Sequence, residues 1–202
     1  VYASDIAHFL PEAEGYGWTF AKAKFDWTVF HQKLTQELDR LEAVYRGLLE
    51  RSGVYTFDAR AKILEAHTVE LSTGQRITAE TILIAVGGTP TLPKIVGIEH
   101  AITSNEMFDF KLLPVSILIV GGGYIASEFA GIMNGLGVKT TQYYRGDQIL
   151  RGFDNEARDL VAGDMVKRGV DLRCGLNVEK IEKTPKGLLV NDTKGKTQVF
   201  DA

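Results

Sequence analysis

A chain of 202 residues has room for one large domain or two small ones. Its 45% hydrophobic and 24% charged residues are the balance of a globular protein, and no apolar run reaches the ~18 residues of a membrane span. The net charge of −3 gives no general attraction to nucleic acid or an anionic membrane, and the single cysteine, Cys174, excludes an internal disulfide and a cysteine-rich metal site.

The opening residues, "VYASDIAHFLPEAEGYGW", lack the basic-then-apolar pattern of a secretory leader and an initiator methionine. The expectation is a cytoplasmic protein whose chain begins here mid-protein. Residues 26–51 predict one long helix: Val29, Phe30, Leu34, Leu38, Leu41, Val44, Tyr45 and Leu48 recur at helical spacing, with Asp26 as N-cap and Ser52-Gly53 as the stop. Short strands follow in "VYTFDARAKILEAHTVEL", then a turn at "STGQ". In "RITAETILIAVGG" the run "TILIAVG" is apolar on consecutive positions, which predicts a strand covered on both faces.

Residues 89–114 carry three of the five prolines and read as a connector between a first domain at 1–88 and a second at 115–202. From Val115 the order is strand, glycine turn, helix, strand, loop, helix, strand, a βαβαβ unit of the α/β class. The remainder, from Val178, alternates polar and apolar residues around turns and predicts an antiparallel appendage. Cys174, in "VDLRCGLNV", reads as an apolar side chain in a short strand, and His8, His31, His67 and His100 show no metal-ligand spacing.

The chemistry is concentrated in "VSILIVGGGYIASEFAG". Gly121, Gly123 and Ala126 satisfy G-x-G-x-x-[GA] between a strand and a helix. The first glycine permits the tight turn, the second lets the backbone approach a pyrophosphate, and the alanine lets the helix pack close to the sheet. The pyrophosphate then lies on the first helical amides. This is a Rossmann-like nucleotide site, against the plainer reading of a ligand-free strand-to-helix turn.

An acid at the end of the second strand would hold an unphosphorylated ribose. Tyr144 stands there instead, followed by Arg145 and, six residues on, Arg151. Two guanidiniums suit a dianionic phosphate, so NADPH is expected rather than NADH. The alternatives are that both arginines are solvated loop charges, or that Asp147 pairs with one of them.

With these motifs in place, the sequence resembles the pyridine nucleotide–disulfide oxidoreductases over nearly its whole length, most closely the branch that reduces glutathione disulfide. "GYIASEFAGIMNGLGVKT" is similar to that family's nicotinamide-nucleotide turn and helix, and "YYRGDQILRGFD" to its phosphate-binding loop with two arginines. "ILIAVGGTPTLP" and "AITSNEMF" resemble the hinge between flavin and nucleotide domains, and "FDWTVFHQKLTQELDRLEAVY" the helix beside the disulfide substrate.

The resemblance implies FAD and NADPH as cofactors, glutathione disulfide as substrate and a homodimer. It implies that Gly122, Gly123, Ile125 and Glu128 line the NADPH site. It makes Tyr124 the ring that covers the flavin until nicotinamide displaces it. Tyr45 would reach the disulfide, and Arg60, Ala61 and Gly87 would touch FAD. Read as residues alone, Tyr124 fits a helix-start packing position, Glu128 a solvated first-turn acid and Tyr45 the helix's core stripe.

The family's redox cysteine pair, first flavin-binding glycine turn and interface domain have no counterpart in these 202 residues. The resemblance therefore implies a central stretch of a reductase: part of the FAD-binding domain, then an NADPH-binding domain lacking its closing strand. A reductase for another small disulfide, or a non-catalytic NADP-binding module, are the other readings.

Overall fold

Every residue except Lys22 is described in a computed structural model of the chain. The chain forms two compact units, Val29–Thr89 and Val1–Thr28 with Pro90–Ala202.

Helix α1 (Tyr2–Glu14) was not legible in the sequence, where its apolar residues keep no clear period and Pro11 lies inside it. It packs on helix α3 (introduced below), with Ser4 buried at the contact. The packing needs Gly135: a Cβ there would lie 2.7 Å from the Ser4 Cβ. Helix α2 (Trp27–Arg51) starts directly after the expected cap, Asp26. Trp27 Nε1 donates to the Phe110 carbonyl oxygen at 2.6 Å.

In the unit Val29–Thr89, α2 has the predicted length but none of its residues is buried. The stripe of Val29, Leu38, Val44, Tyr45 and Leu48 is exposed. Strands β1 (Ala61–Glu65), β2 (Thr68–Leu71) and β3 (Arg76–Thr78) form an antiparallel sheet in that order. Arg46 joins the helix to the segment before β1 through a two-pronged contact with Asp58, at 3.1 and 3.2 Å.

The expected strand "TILIAVG" is not formed: residues 81–87 are irregular, and Leu83 and Val86 are each 87% exposed. Its composition is that of a strand, but a strand exists only where a neighbour takes its backbone hydrogen bonds. Among the described residues no strand pairs with it.

The other unit holds a parallel sheet in the order β4 (Ser116–Val120), β5 (Lys139–Tyr144), β6 (Asp171–Cys174). Helix α3 (Tyr124–Gly135) connects the first pair and α4 (Asn155–Lys167) the second. Asp154 caps α4, its Oδ1 accepting from the amides of Glu156 at 2.9 Å and Ala157 at 3.2 Å. β7 (Val178–Thr184), β8 (Gly187–Asp192) and β9 (Thr197–Phe200) form the antiparallel appendage.

Tyr143 of the parallel sheet packs into one core with Val178, Ile181, Val190 and Phe200 of the appendage. After β9 the chain runs along the free edge of β4, where Leu118 N donates to the Ala202 carbonyl at 2.9 Å. The connector is also bound into this unit. Met107 is buried against Ile117 and Met133, and Val96 bridges Lys180. Gly97, at φ 83°, lies so close to the Ile181 carbonyl that no Cβ fits.

Candidate functional site

β4 ends at Val120 and α3 begins at Tyr124, so the three glycines make the whole connection. Gly121 has φ 149°, and its amide donates to the Tyr143 carbonyl at 2.9 Å, which keeps the turn on the sheet edge. A Cβ on Gly121 would sit 3.2 Å from the Cβ of Ala126, so the helix does pack as closely as the motif requires. Gly123 occupies the N-cap position with nothing within 4 Å of where its Cβ would lie. Among the described residues no side chain caps α3 and no acid stands in its first turn; Glu128, expected as a first-turn acid, falls in the second turn. The positive end of the helix therefore faces open space beside a bare backbone, the arrangement that accepts an anion.

The middle glycine serves a different purpose. A Cβ on Gly122 would fall inside the Tyr144 ring, 2.6 Å from Cδ1, and a Cβ on Gly146 would lie 2.6 Å from Cε1 of the same ring. Tyr144 is thus held between two glycines, and this ring takes the place of the expected acid. From beneath, Gln142 Nε2 donates to the Gly121 carbonyl at 2.9 Å. Its Oε1 is buried without a partner among the described residues.

Residues 145–153 are tied to the same turn. Leu150 N donates to the Gly122 carbonyl at 2.6 Å, with Leu150 itself in the left-handed region at φ 56°. Ile149 is fully buried against Ala130, Ala162, Met165 and Val170. Arg145 and Arg151 flank this anchored stretch and are both exposed. Among the described residues neither forms an ion pair, with Asp147 or any other acid. On α3, Ser127, Ala130 and Met133 face the core. Tyr124, Ile125 and Glu128 lie exposed on the other flank, with Tyr124 58% accessible.

Residues 6–202 match the family described as pyridine nucleotide-disulphide oxidoreductase. The chain belongs to this family. Among curated relatives it is 42% identical over 202 residues to a glutathione reductase of Burkholderia cepacia, covering 100% of this chain and 45% of that protein. It is 42% identical over 191 residues to a glutathione reductase of Nostoc sp., covering 95% and 41%. Among solved structures it is similar to the HOCl-induced flavoprotein disulfide reductase of Escherichia coli in its Cu(II) complex, with a TM-score of 0.79 and 25% identity over 88% of this chain and 41% of that one. The chain spans less than half the length of each.

The remaining candidate residues of this oxidoreductase chain lie in the unit Val29–Thr89. Tyr45 is 64% exposed on α2, outside any core stripe. Just before β1, which Ala61 opens, the Arg60 carbonyl accepts from the Ser72 amide at 2.7 Å and the Arg60 amide donates to Ser72 Oγ at 3.2 Å. Gly87 adopts φ 69° in open surroundings, a conformation that favours glycine. Cys174 is half-buried beside Ile149. Burial pushes its thiol pKa up, a backbone hydrogen bond from Ile149 opposes this, and the nearby Asp147 charge adds to the rise. No helix among the described residues is long and apolar enough to cross a membrane.

Sequence reading missed two contributors, Gln142 and Gly146, which carried no motif.

Proposed function

We propose that the chain supplies the nucleotide-binding part, with a portion of the flavin-binding part, of a cytoplasmic, homodimeric, FAD- and NADPH-dependent reductase of glutathione disulfide. Residues 115–202 form the NADPH-binding domain, 1–88 a partial FAD-binding domain and 89–114 the connector. The observation that carries this is the pair of unpaired guanidiniums, Arg145 and Arg151, on a loop hydrogen-bonded to the glycine turn.

NADPH lies with its pyrophosphate over Gly122, Gly123 and the first amides of α3, where the helix end favours negative charge. Arg145 and Arg151 hold the phosphate on the adenosine ribose. They form charge-assisted bonds that a ribose hydroxyl cannot match. Ile125 and Glu128 line the exposed flank of α3 along the bound nucleotide. Tyr124, open to solvent at the start of the helix, would cover the flavin face until nicotinamide takes its place.

Arg60, Ala61 and Gly87 fit the flavin, the left-handed glycine leaving its backbone bare for a close approach. When bound, FAD supplies a two-electron relay between NADPH and a thiol pair. Cys174 alone cannot be that pair. Tyr45, presenting its hydroxyl from α2, contacts the glutathione disulfide.

The test is the flavin-loaded reductase that carries this chain. NADPH oxidation should follow addition of glutathione disulfide, and NADH should serve far less well. Turnover with another low-molecular-weight disulfide in place of glutathione disulfide overturns the substrate. NADPH binding by a protein without flavin or turnover reduces it to a binding module.

A further inference from the structure

Arg158 stands in the first turns of α4, where a cation opposes the helix dipole. It is half-buried, and among the described residues no carboxylate pairs with it. Its guanidinium is spent on backbone. Nε donates to the Ile149 carbonyl at 2.8 Å and Nη2 to the Gln148 carbonyl at 2.9 Å, while Nη1 reaches Asn155 Oδ1 at 2.8 Å. A planar fork can clasp two successive carbonyls in this way, and an ammonium cannot.

The clasped peptides are also held on their other sides. The Ile149 amide donates to Gln148 Oε1 at 3.0 Å, Gln148 Nε2 to Asp159 Oδ1 at 2.8 Å, and the Leu150 amide to Gly122. The Gln148 and Ile149 carbonyls and the Ile149 and Leu150 amides are therefore all hydrogen-bonded, and Leu150 is held in the left-handed region. Arg151 leaves directly from this fixed stretch, and Arg145 enters it past the clamped Tyr144 ring.

We infer that Arg158 is a positioning residue for nucleotide selectivity: its fork on the Gln148 and Ile149 carbonyls sets the backbone from which Arg145 and Arg151 converge on a ribose phosphate. This rests on the NADPH reading of the two arginines. With the backbone fixed, binding the phosphate orders two side chains only. With it loose, binding must order the loop as well, and the phosphate contribution to affinity shrinks. The rest of the nucleotide, held at the glycine turn, is indifferent to the fork.

The experiment compares adenosine 2′,5′-bisphosphate with AMP as calorimetric ligands for the 202-residue chain, so that flavin and turnover play no part. The quantity read is the ratio of the two affinities. Arg158→Ala should lower this ratio about tenfold while AMP affinity stays within about twofold. Arg158→Lys, which keeps the charge and loses the fork, should fall between Arg158→Ala and the parent, and it decides the matter should the alanine variant fail to fold.

Equal weakening of both ligands makes Arg158 a merely structural residue, and an unchanged ratio makes it irrelevant; either overturns the inference. Full selectivity in Arg158→Lys shows that charge acts rather than position, and overturns it too. The Arg145→Ala/Arg151→Ala variant is the control for the reading beneath: if it keeps the full ratio, the phosphate assignment itself is wrong.

Discussion

Alanine at Gly122 and alanine at Gly123 should damage the protein in opposite ways, although the two positions are adjacent. At Gly122 the new methyl group meets the Tyr144 ring at 2.6 Å from Cδ1, and the ring already runs close to the Gly146 backbone, where a Cβ would not fit either. The backbone must move instead, and the Leu150 bond to the Gly122 carbonyl moves with it. Overpacking of this kind costs about 1–3 kcal/mol, and the ring's confinement argues for the upper part of that range.

At Gly123 the backbone has φ −82° and ψ 174°, which any residue adopts, and the methyl enters empty space. Stability should change by less than about 0.5 kcal/mol. The methyl would stand where a pyrophosphate approaches the α3 amides, and losing one charge-assisted contact of ~1.5–3 kcal/mol raises the NADPH Kd by about tenfold or more. Urea unfolding and calorimetric titration separate the two effects. Removing the ring in Tyr144→Ala should make a further Gly122→Ala change nearly neutral, as a double-mutant cycle requires of direct contact. If Gly123→Ala destabilises the fold as much as Gly122→Ala, or leaves NADPH affinity intact, the division of labour in the turn is wrong.

Asp154→Ala removes the α4 cap and should cost about 1 kcal/mol in urea unfolding; no change would mean the cap is idle. Cys174 should alkylate more slowly than free cysteine at neutral pH. Its raised pKa leaves less thiolate there, and the rate should climb only as pH passes above the ordinary thiol range. A rate at or above that of the free thiol contradicts the burial argument. In the flavin-loaded reductase, Tyr124→Gly should alter the transient kinetics of flavin reduction with little loss of nucleotide affinity; the reverse pattern makes Tyr124 a binding residue.

The sequence was most informative where local chemistry and fold coincide. Gly121 and Ala126 stand in the turn as their spacing requires, because each meets a short-range demand of the turn itself, and Gly123 stands between them at the open N-cap. Arg145 and Arg151 were visible because an acid was expected and two cations stood there instead. The structure then adds that among the described residues neither forms an ion pair, and that both are mounted on an anchored loop.

The illegible features depend on partners distant in sequence. Gly122 holds no place in the G-x-G-x-x-[GA] spacing and was singled out only by the resemblance; that the Tyr144 ring fills the space beside it needed the fold. Gln142 and Arg158 bond to backbone groups, which no side-chain pattern announces. The apolar composition of "TILIAVG" foretold a buried strand, and the periodicity of α2 a buried stripe, but composition cannot say whether a partner is there. Helix α1 was missed for the opposite reason: its seat on α3 depends on Ser4 and Gly135, two small residues with no hydrophobic signal.

The most direct measurement is a calorimetric titration of the chain with NADPH and NADH, repeated on Arg145→Ala/Arg151→Ala. The parent chain should prefer NADPH. The double variant should lose about 3 kcal/mol of NADPH binding, a factor on the order of 100, since two charge-assisted contacts at exposed positions fall at the low end of their range. NADH affinity should stay nearly constant. Equal losses for both nucleotides, or none for either, would contradict the assignment of the two arginines to the ribose phosphate and, with it, the choice of NADPH.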